Sequence, residues 1–287
     1  MSDEDKRIAV IGAGTMGHGI AQVAAAAGYQ VVITDAEAAV LQRARERISS
    51  NLQKGIERGK VEPAERDRVL RNLSPEQELA AAVTGADVVI EAVVEDLAVK
   101  REICAVVERE VGPETLLASN TSSLPLAQIA AELDHPGRVI GMHFFNPVHI
   151  MALLEVVVHP GTDERTRERA LAIGRRMGKD PIVVRDSPGF ASSRLGVVLG
   201  LEAMRMVEQG VASAADIDKA MELGYRHPMG PLKLTDVVGL DVRLAVAETL
   251  FRELGGEQYR PPQVLRDKVA AGELGKKSGQ GFHRWDD

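Results

Sequence analysis

The chain has 287 residues, of which 45% are hydrophobic, so it can bury a sizeable core and is long enough for two domains. Its 35 basic and 42 acidic side chains give a formal charge of -7, and no arm concentrates positive charge, which argues against nucleic acid as a partner. The sequence contains no apolar run of about 18 residues, and its polar start leads directly into a predicted strand. We therefore expect a soluble, cytoplasmic protein that does not enter a membrane.

The single cysteine excludes two kinds of site. Cys104 is the only cysteine, so neither an intrachain disulfide nor a thiolate zinc cage can form. It falls inside an apolar helical pattern, which favours a buried core thiol over a reactive one. We predict no metal site.

The first 35 residues contain a strand, a glycine-rich turn, a helix, a second strand and a terminal acid. In chain order these are Arg7 to Ile11, the glycines of Gly12-x-Gly14-x-x-Gly17, Met16 to Ala27, Gln30 to Thr34, and Asp35. The glycine spacing alone is a weak signal, because glycine-rich turns are common. The whole order within about 30 residues is typical of a dinucleotide-binding unit, although a turn that binds no ligand is the alternative.

Each part of this unit has a physical reason. Gly12 allows a tight turn, Gly14 lets the backbone approach a pyrophosphate, and Gly17 lets the helix pack on the strand. The start of the helix at Met16, together with Thr15 in the turn before it, offers backbone N–H groups to the anion. We expect these residues to bind the cofactor.

Asp35 indicates which dinucleotide the unit binds. Its carboxylate would accept hydrogen bonds from the adenine ribose hydroxyls and would repel a 2′-phosphate. The next residues, Ala36-Glu37-Ala38, supply no arginine to relieve that repulsion. The sequence therefore favours NAD over NADP.

A helical pattern from Glu37 to Lys60 is rich in basic residues, and a further helix is predicted after Pro63. A charged helix face is often simply solvated. The alternative is a docking surface for a phosphate-bearing part of a substrate, and the spacing of the basic residues does not decide between the two.

Polar side chains follow two later strands. Glu95 comes after the strand from Ala86 to Val94, with Lys100 one turn into the next helix, and Asn120-Thr121-Ser122-Ser123 follows the strand from Leu116 to Ser119. Ligands of an open parallel sheet lie outside the carboxyl ends of its strands, so we place Glu95, Lys100, Asn120 and Ser122 near the cofactor. Alternatively, Glu95 could simply stabilise the start of its own helix, and residues 120–123 could cap the helix after them.

The rest of the chain divides into strands and then helices. Strands are predicted over Arg138–Phe145, which carries His143, over Leu153–Val158, which carries Glu155, and, after a helix, over Pro181–Arg185. Helices are predicted over Phe190–Gln209, Ala214–Leu223, Leu232–Leu254 and Pro262–Ala271. We expect an α/β domain over residues 1–185 and an all-α domain over residues 186–287.

Several motifs in this order resemble those of the 3-hydroxyacyl-CoA dehydrogenases. Besides the glycine-rich turn they are Ser119-Asn-Thr-Ser-Ser, His143-Phe-Phe-Asn-Pro, Glu155, Ser187-Pro-Gly-Phe, Pro228-Met-Gly-Pro and Lys276-Lys-Ser-Gly-Gln-Gly-Phe. The resemblance extends from Arg7 to Trp285 and is greatest to the short single-function members, which include 3-hydroxybutyryl-CoA dehydrogenases. It implies an α/β Rossmann-type NAD-binding domain followed by an all-α C-terminal domain that builds a homodimer. It also implies reversible oxidation of an (S)-3-hydroxyacyl-CoA in a cleft between the domains.

The resemblance also implies roles for individual residues. His143 is the general acid/base, Glu155 its partner, Ser122 a contact of substrate and cofactor, and Asn146 a neighbour of the nicotinamide. Glu95, Lys100 and Lys277 match positions on the cofactor side, and Asn51, Lys54 and Arg58 match positions that hold the CoA nucleotide.

The chemistry of alcohol oxidation agrees with the two central assignments. A base must remove the hydroxyl proton while hydride leaves the same carbon, and neutral imidazole suits this near pH 7. A carboxylate on the other ring nitrogen orients the base and stabilises the imidazolium that forms. His149 has no comparable support from its surroundings in the sequence.

One position departs from the family pattern. The family usually has an Asn before the Arg that follows Pro-Gly-Phe, and here Ser192-Ser193-Arg194 occurs instead. Our hypothesis is that Ser193 hydrogen-bonds in the active site, directly or through a water, with an altered acyl preference. Two other functions are open: a dehydrogenase of free 3-hydroxy acids, such as the L-gulonate type, and a non-catalytic NAD-binding protein.

Overall fold

Strands and helices alternate up to Asp186 in the computed structural model, which describes residues 5–285. The strands are β1 (Arg7–Ile11), β2 (Gln30–Thr34), β3 (Leu73–Glu76), β4 (Val88–Glu91), β5 (Leu116–Ser119), β6 (Val139–Phe144), β7 (Leu153–Val158) and β8 (Asp180–Arg185). The helices among them are α1 (Gly17–Ala26), α2 (Ala38–Glu57), α3 (Pro63–Arg71), α4 (Leu79–Val83), α5 (Leu97–Glu110), α6 (Leu126–Ala130) and α7 (Glu164–Arg176). The remaining helices are α8 (Ser192–Glu208), α9 (Ala214–Gly224), α10 (Pro231–Val238), α11 (Leu240–Leu254) and α12 (Gln263–Ala270).

The strands form one eight-stranded sheet in the order β3-β2-β1-β4-β5-β6-β7-β8. All neighbours are parallel except β6 and β7, which are antiparallel. The strand order reverses between β1 and β4, as in doubly wound dinucleotide-binding folds, and ligands of such sheets lie at the carboxyl edge near this point. The predicted Rossmann-type fold is thus confirmed.

Side-chain alternation along β6 decides which way the predicted base faces. Ile140, Met142 and Phe144 are buried in a core that they share with α1 and α7. Alternate residues of a strand face opposite sides of the sheet, so Gly141 and His143 face the side on which α6 packs. A Cβ on Gly141 would lie only 2.8 Å from a methyl group of Leu126, so glycine is required for that close packing.

Two features of the N- and C-terminal units differ from expectation. β3 was missed because its sequence, Leu-Ser-Pro-Glu, is short and polar and contains a proline, which an edge strand tolerates. The single helix predicted over Leu232–Leu254 is wrong: α10 and α11 are separate helices, divided at Gly239. That glycine has φ +106°, which an α-helix cannot include.

The chain divides into two units between Asp186 and Ser187, one residue after the predicted boundary. The C-terminal unit has its own apolar core, which includes Leu201, Met204 and Leu250. Within residues 5–285, the helices are all too short or too polar to cross a lipid bilayer.

Cys104 is buried on α5, as predicted for a core thiol. Burial, together with the nearby Glu91 carboxylate, raises the pKa of its thiol to about 12. Since the thiolate is the reactive form, this side chain is inert near neutral pH.

Candidate active site

The turn after β1 requires two of its three glycines for internal packing. Gly12 has φ +91°, and a Cβ there would lie 2.6 Å from the carbonyl oxygen of Ala92. A Cβ on Gly17 would overlap the carbonyl oxygen of Gly12. These two positions therefore fix the tight turn and the close approach of α1 to the sheet.

Gly14 is different, because the described atoms of the protein leave its side-chain position open. Among residues 5–285, no atom lies within 4 Å of the place that its Cβ would occupy, which is the space a pyrophosphate needs. No side chain of the described residues caps the start of α1, so its first-turn N–H groups can bind an anion. His18 donates from Nδ1 to the Gly14 carbonyl at 2.7 Å and steadies the turn. The residues present fit NAD.

Asp35 joins the end of β2 to this turn. Its Oδ2 accepts a hydrogen bond from Ala13 N at 2.9 Å, and its Oδ1 accepts one from Glu37 N at 3.1 Å. The carboxylate is therefore held in place at the carboxyl edge of the sheet. Its contact with the adenine ribose remains a prediction.

We expect the protein to use NADH with a kcat/KM about 100-fold higher than that for NADPH. A 2′-phosphate close to the Asp35 carboxylate would be repelled by roughly 2 to 3 kcal/mol at the effective dielectric constant of a protein surface. Steady-state kinetics with both cofactors measures this ratio, and Asp35→Asn should reduce it. Equal kcat/KM values for the two cofactors in the parent protein would overturn this interpretation of Asp35.

His143 and Glu155 are directly opposite each other on the antiparallel strands β6 and β7. Opposite residues of such a pair project to the same face with their Cβ atoms about 5 Å apart. His143 Nδ1 lies 2.7 Å from Glu155 Oε2, and the two side chains are 9% and 0% exposed. The predicted base and its partner acid are thus brought together in a buried pair.

This geometry assigns the tautomer of the imidazole. A carboxylate only accepts hydrogen bonds, so Nδ1 of His143 carries the proton that it donates to Glu155. Nε2 is then the nitrogen that can accept a proton from a substrate, while the buried negative charge stabilises the resulting imidazolium. The ring of Phe145, at 4.5 Å between ring centroids, forms part of the wall around the imidazole.

Glu95 organises the polar loop that follows β5. Its Oε1 accepts from Thr121 Oγ1 at 2.7 Å and from the backbone N–H groups of Ser122 at 2.8 Å and Ser123 at 3.1 Å. Burial disfavours the ionised carboxylate, but Lys100 and the hydrogen bonds from Thr121 and Ser122 outweigh it and lower the pKa of Glu95. An ionised Glu95 therefore holds Ser122 at the carboxyl edge of the sheet.

Glu95 and Ser122 do not cap the helices that follow them, α5 and α6. The side chain that caps α5 is that of Asp96, which accepts from Val99 N at 3.0 Å. The residue that precedes α6 is Pro125, which makes no side-chain cap. Glu95 and Ser122 instead bond to each other.

Lys100 is buried and paired with two carboxylates, so its ammonium group is not exposed to a bound cofactor. Its side chain is 1% exposed, and its Nζ lies 2.7 Å from Glu91 Oε1 and 3.4 Å from Glu95 Oε2. Any effect of Lys100 on the cofactor passes through Glu95 in this arrangement. The sequence analysis did not select Glu91. The available signal was its place at the end of the apolar run Val88–Ile90, because an acid buried there needs a partner.

Two predicted site residues are asparagines that follow strands β5 and β6. Asn120 Oδ1 accepts from Phe144 N at 2.9 Å, which fixes the end of β5 against β6 next to His143. Asn146 is exposed, two residues after β6 ends. Its place near the nicotinamide and the cofactor role of Asn120 remain predictions.

His149 lies in the same β6–β7 connection as Asn146 and is exposed. Neighbouring groups still remove part of its hydration, which lowers the pKa of His149, and the nearby His18 and Lys179 lower that pKa further. It is therefore neutral near pH 7. It has no carboxylate partner like that of His143 among the bonds of the described residues.

The predicted nucleotide-binding residues share one face at the end of α2. Asn51 and Lys54 are three positions apart on one side of α2, and Arg58 directly follows the last residue of that helix. Lys54 and Arg58 are exposed, while Asn51 donates from Nδ2 to Gln22 Oε1 at 3.2 Å. A basic face is therefore present, and its contact with CoA remains a prediction.

Two predicted site residues belong to the C-terminal unit. Ser193 lies in the first turn of α8. Lys277 donates from Nζ to both carboxylate oxygens of Asp241, at 2.5 and 2.6 Å. The active-site role of Ser193 and the cofactor role of Lys277 remain predictions.

Among residues 5–285, no cluster of three or more His, Cys, Asp or Glu side chains could hold a metal ion.

Comparison with known proteins connects this geometry to a family. Residues 7–187 match the model of the 3-hydroxyacyl-CoA dehydrogenase NAD-binding domain, and residues 189–285 match that of the 3-hydroxyacyl-CoA dehydrogenase C-terminal domain. The chain is 45% identical over 284 residues to the probable 3-hydroxybutyryl-CoA dehydrogenase of Bacillus subtilis, covering 99% of each protein.

Two further proteins are similar over nearly the whole chain. The crystal structure of (S)-3-hydroxybutyryl-CoA dehydrogenase PaaH1 from Ralstonia eutropha has a TM-score of 0.95 and 38% identity, covering 99% of this chain and 100% of that one. The 3-hydroxyadipyl-CoA dehydrogenase of Escherichia coli is 41% identical over 97% of this chain and 58% of its own length. The chain, with its NAD-binding turn and its helical C-terminal unit, therefore belongs to the 3-hydroxyacyl-CoA dehydrogenase family and is an NAD-dependent oxidoreductase.

Proposed function

We propose that this enzyme reversibly oxidises (S)-3-hydroxyacyl-CoA thioesters with short or functionalised acyl chains to 3-ketoacyl-CoA. The observation that carries the proposal is the buried pair of His143 and Glu155 at the carboxyl edge of an NAD-binding sheet. The names of the similar proteins, which include dehydrogenases of 3-hydroxybutyryl-CoA and 3-hydroxyadipyl-CoA, support the substrate class.

In this mechanism the protein handles the proton. NAD, when bound, supplies the acceptor for the hydride that leaves the substrate carbon. His143 takes the hydroxyl proton at Nε2, and Glu155, bonded to Nδ1, stabilises the positive charge that the ring acquires. Because both side chains are buried, this charge–charge interaction is not screened by bulk water. In the reduction direction, the imidazolium returns the proton.

Ser122 is suited to hold the reacting oxygen. Its Oγ donates to Glu95 at 3.2 Å, which is much longer than the roughly 2.6 Å of a strong hydroxyl–carboxylate bond. The hydroxyl can therefore exchange this weak bond for one to the substrate at little cost. The backbone N–H of Ser122 stays bonded to Glu95 at 2.8 Å and keeps the loop in place.

The basic face of α2 would hold the nucleotide of CoA. Lys54, in the last turn of α2, and Arg58, directly after that helix, are exposed, whereas Ile48 and Leu52 are buried. Long cationic side chains on one face suit phosphate groups. A free 3-hydroxy acid would make no use of this face.

The test is NADH oxidation by the purified protein across a panel of 3-ketoacyl-CoA thioesters, beginning with acetoacetyl-CoA and including 3-ketoadipyl-CoA. We expect turnover of at least one thioester, with kcat/KM well above that for the matching free 3-keto acid. A preference for the free acid would favour the L-gulonate type of dehydrogenase. No turnover of either class, with NADH binding intact, would favour a non-catalytic NAD-binding protein. Repeating the panel with Ser193→Ala tests the acyl preference assigned to Ser193.

We also propose that the C-terminal unit builds a homodimer. Its helices expose several large apolar side chains, which would be costly to leave in water and which suit an interface between copies. They are Leu195 on α8, Leu234, Val237 and Val238 on α10, and Val242 on α11. A cytoplasmic location and a role in fatty acid metabolism remain predictions.

A further inference from the structure

A second buried acid, Glu91, lies at the carboxyl end of β4 and takes no part in the proposed proton transfer. Its side chain is 2% exposed, and both of its oxygens are hydrogen-bonded. Oε1 accepts from Val93 N and from Lys100 Nζ, both at 2.7 Å, and Oε2 accepts from Ser119 Oγ at 2.6 Å. A buried carboxylate that accepts from three donors is firmly oriented.

One set of hydrogen bonds joins Glu91, through the last residue of β5, to the loop that contains Ser122. Ser119, which donates to Glu91, is the last residue of β5. Its Oγ also accepts a hydrogen bond from Thr121 N at 3.3 Å. The backbone immediately before Ser122 is therefore attached to the buried carboxylate through a single hydroxyl group.

A second set of bonds reaches the same loop through Lys100. The Lys100 ammonium lies between Glu91 Oε1 at 2.7 Å and Glu95 Oε2 at 3.4 Å. Glu95 in turn binds the N–H and hydroxyl groups of Ser122 through its other oxygen. The shorter distance places the cation mainly with Glu91, which leaves Glu95 able to accept the hydrogen bonds of the loop.

A third connection leads to the glycine-rich turn. Glu91 Oε1 holds Val93 N, and a Cβ at Gly12 would lie 3.0 Å from that nitrogen and 2.6 Å from the Ala92 carbonyl oxygen. The segment that Glu91 fixes is therefore the one against which the cofactor-binding turn packs. One carboxylate connects the turn, Glu95 and the loop of Ser122.

We propose that Glu91 is a positioning residue of the dehydrogenase reaction: it anchors Lys100 and so keeps Glu95 and the loop of Ser122 in the geometry that turnover requires. This inference rests on the proposed role of Ser122 in binding the substrate oxygen. Without the charge of Glu91, the counter-ion left to the buried Lys100 ammonium among residues 5–285 is Glu95. The ammonium then moves toward Glu95 and competes with Thr121 and Ser122 for its oxygens.

The test is Glu91→Gln, which keeps the size of the side chain and removes its charge. We expect kcat/KM with the best 3-ketoacyl-CoA of the panel to fall about tenfold and the Kd for NADH to rise several-fold, at a temperature well below the melting transition. Ser119→Ala removes one hydroxyl and should give a smaller loss of the same kind. It also keeps the inference testable if Glu91→Gln does not fold.

The matched control is Glu108→Gln. Glu108 is another carboxylate of the N-terminal unit, with Arg138 and the backbone N–H groups of Asp134 and His135 as its partners. We expect its replacement to lower Tm while leaving kcat, KM and the Kd for NADH unchanged. If Glu91→Gln behaves in the same way, its role is structural only and the inference is wrong.

A double variant tests whether Lys100 carries the effect. When Lys100→Met is added to Glu91→Gln, the orphaned cation is removed, so the loss in kcat/KM should be smaller than the product of the two single losses. Independent, multiplicative losses would contradict transmission through Lys100. The parent protein measured in parallel separates this inference from the proposed function: if it turns over no acyl-CoA, the proposed function fails, and the change in NADH affinity of Glu91→Gln still tests the positioning role.

Discussion

Replacing His143 with Gln is expected to lower kcat by about 100- to 10,000-fold, the range that the loss of a general base typically causes. Gln cannot accept the hydroxyl proton at neutral pH, although it can occupy a similar volume beside Glu155. The glycine-rich turn follows β1 and Asp35 follows β2, away from the strand that carries His143, so NADH binding should persist. Steady-state NADH oxidation with acetoacetyl-CoA measures kcat, and a fluorescence titration measures the Kd for NADH.

His135→Gln is the control for this substitution. His135 is an exposed histidine of the same unit, and it lies before β6 rather than on it. Its replacement should leave kcat and KM within about twofold of the parent, as expected for surface changes away from special features. If His143→Gln also turned over at nearly the parent rate, His143 would not be the base.

The dinucleotide-binding half of the site could be predicted because its signal is local. Gly12, Gly17 and Asp35 act within one strand–turn–helix–strand unit, and the structure gives each glycine a steric reason that follows from the turn itself. Asp35 was expected at the end of β2, and its bond to Ala13 N shows that it also fixes the turn. Short-range geometry was enough for this part.

The pairing of His143 with Glu155 needed information that the spacing of residues does not contain. The two residues are 12 positions apart, and they meet because β7 runs antiparallel to β6 in an otherwise parallel sheet. The family resemblance named them as partners. The strand pattern alone would have allowed β7 in either direction, and a register shift of one residue would have placed Glu155 on the opposite face.

Glu91 and Lys100 show a second limit of sequence reasoning. Lys100 was placed near the cofactor because it follows the carboxyl end of a strand, but burial turned its ammonium toward Glu91. Whether a charged side chain at such a position is exposed or paired depends on the packing of β4, α5 and β5 together. The break between α10 and α11 is a simpler case, since Gly239 was visible in the sequence but its positive φ was not.

Replacing Glu155 with Gln is expected to lower kcat about 10- to 100-fold while KM changes little. The amide oxygen can still accept the hydrogen bond from His143 Nδ1, so the tautomer is kept and only the negative charge is lost. A hydrogen bond to a charged group contributes about 1.5 to 3 kcal/mol, and each 1.36 kcal/mol of barrier is a factor of about ten in rate. The Glu155 side chain is 0% exposed, so a substrate has no surface of it to contact. Removing its charge should therefore leave KM nearly unchanged.

Glu168→Gln provides the comparison, because it removes the same charge from an exposed position on α7. It should leave both kcat and KM unchanged, whereas Glu155→Gln should reduce kcat with the Kd for NADH preserved. A rise in KM without a fall in kcat would mean that Glu155 acts in substrate binding and not on the imidazolium. The role assigned to the buried pair would then have to be abandoned, because stabilising a charge that exists only during turnover must appear in kcat.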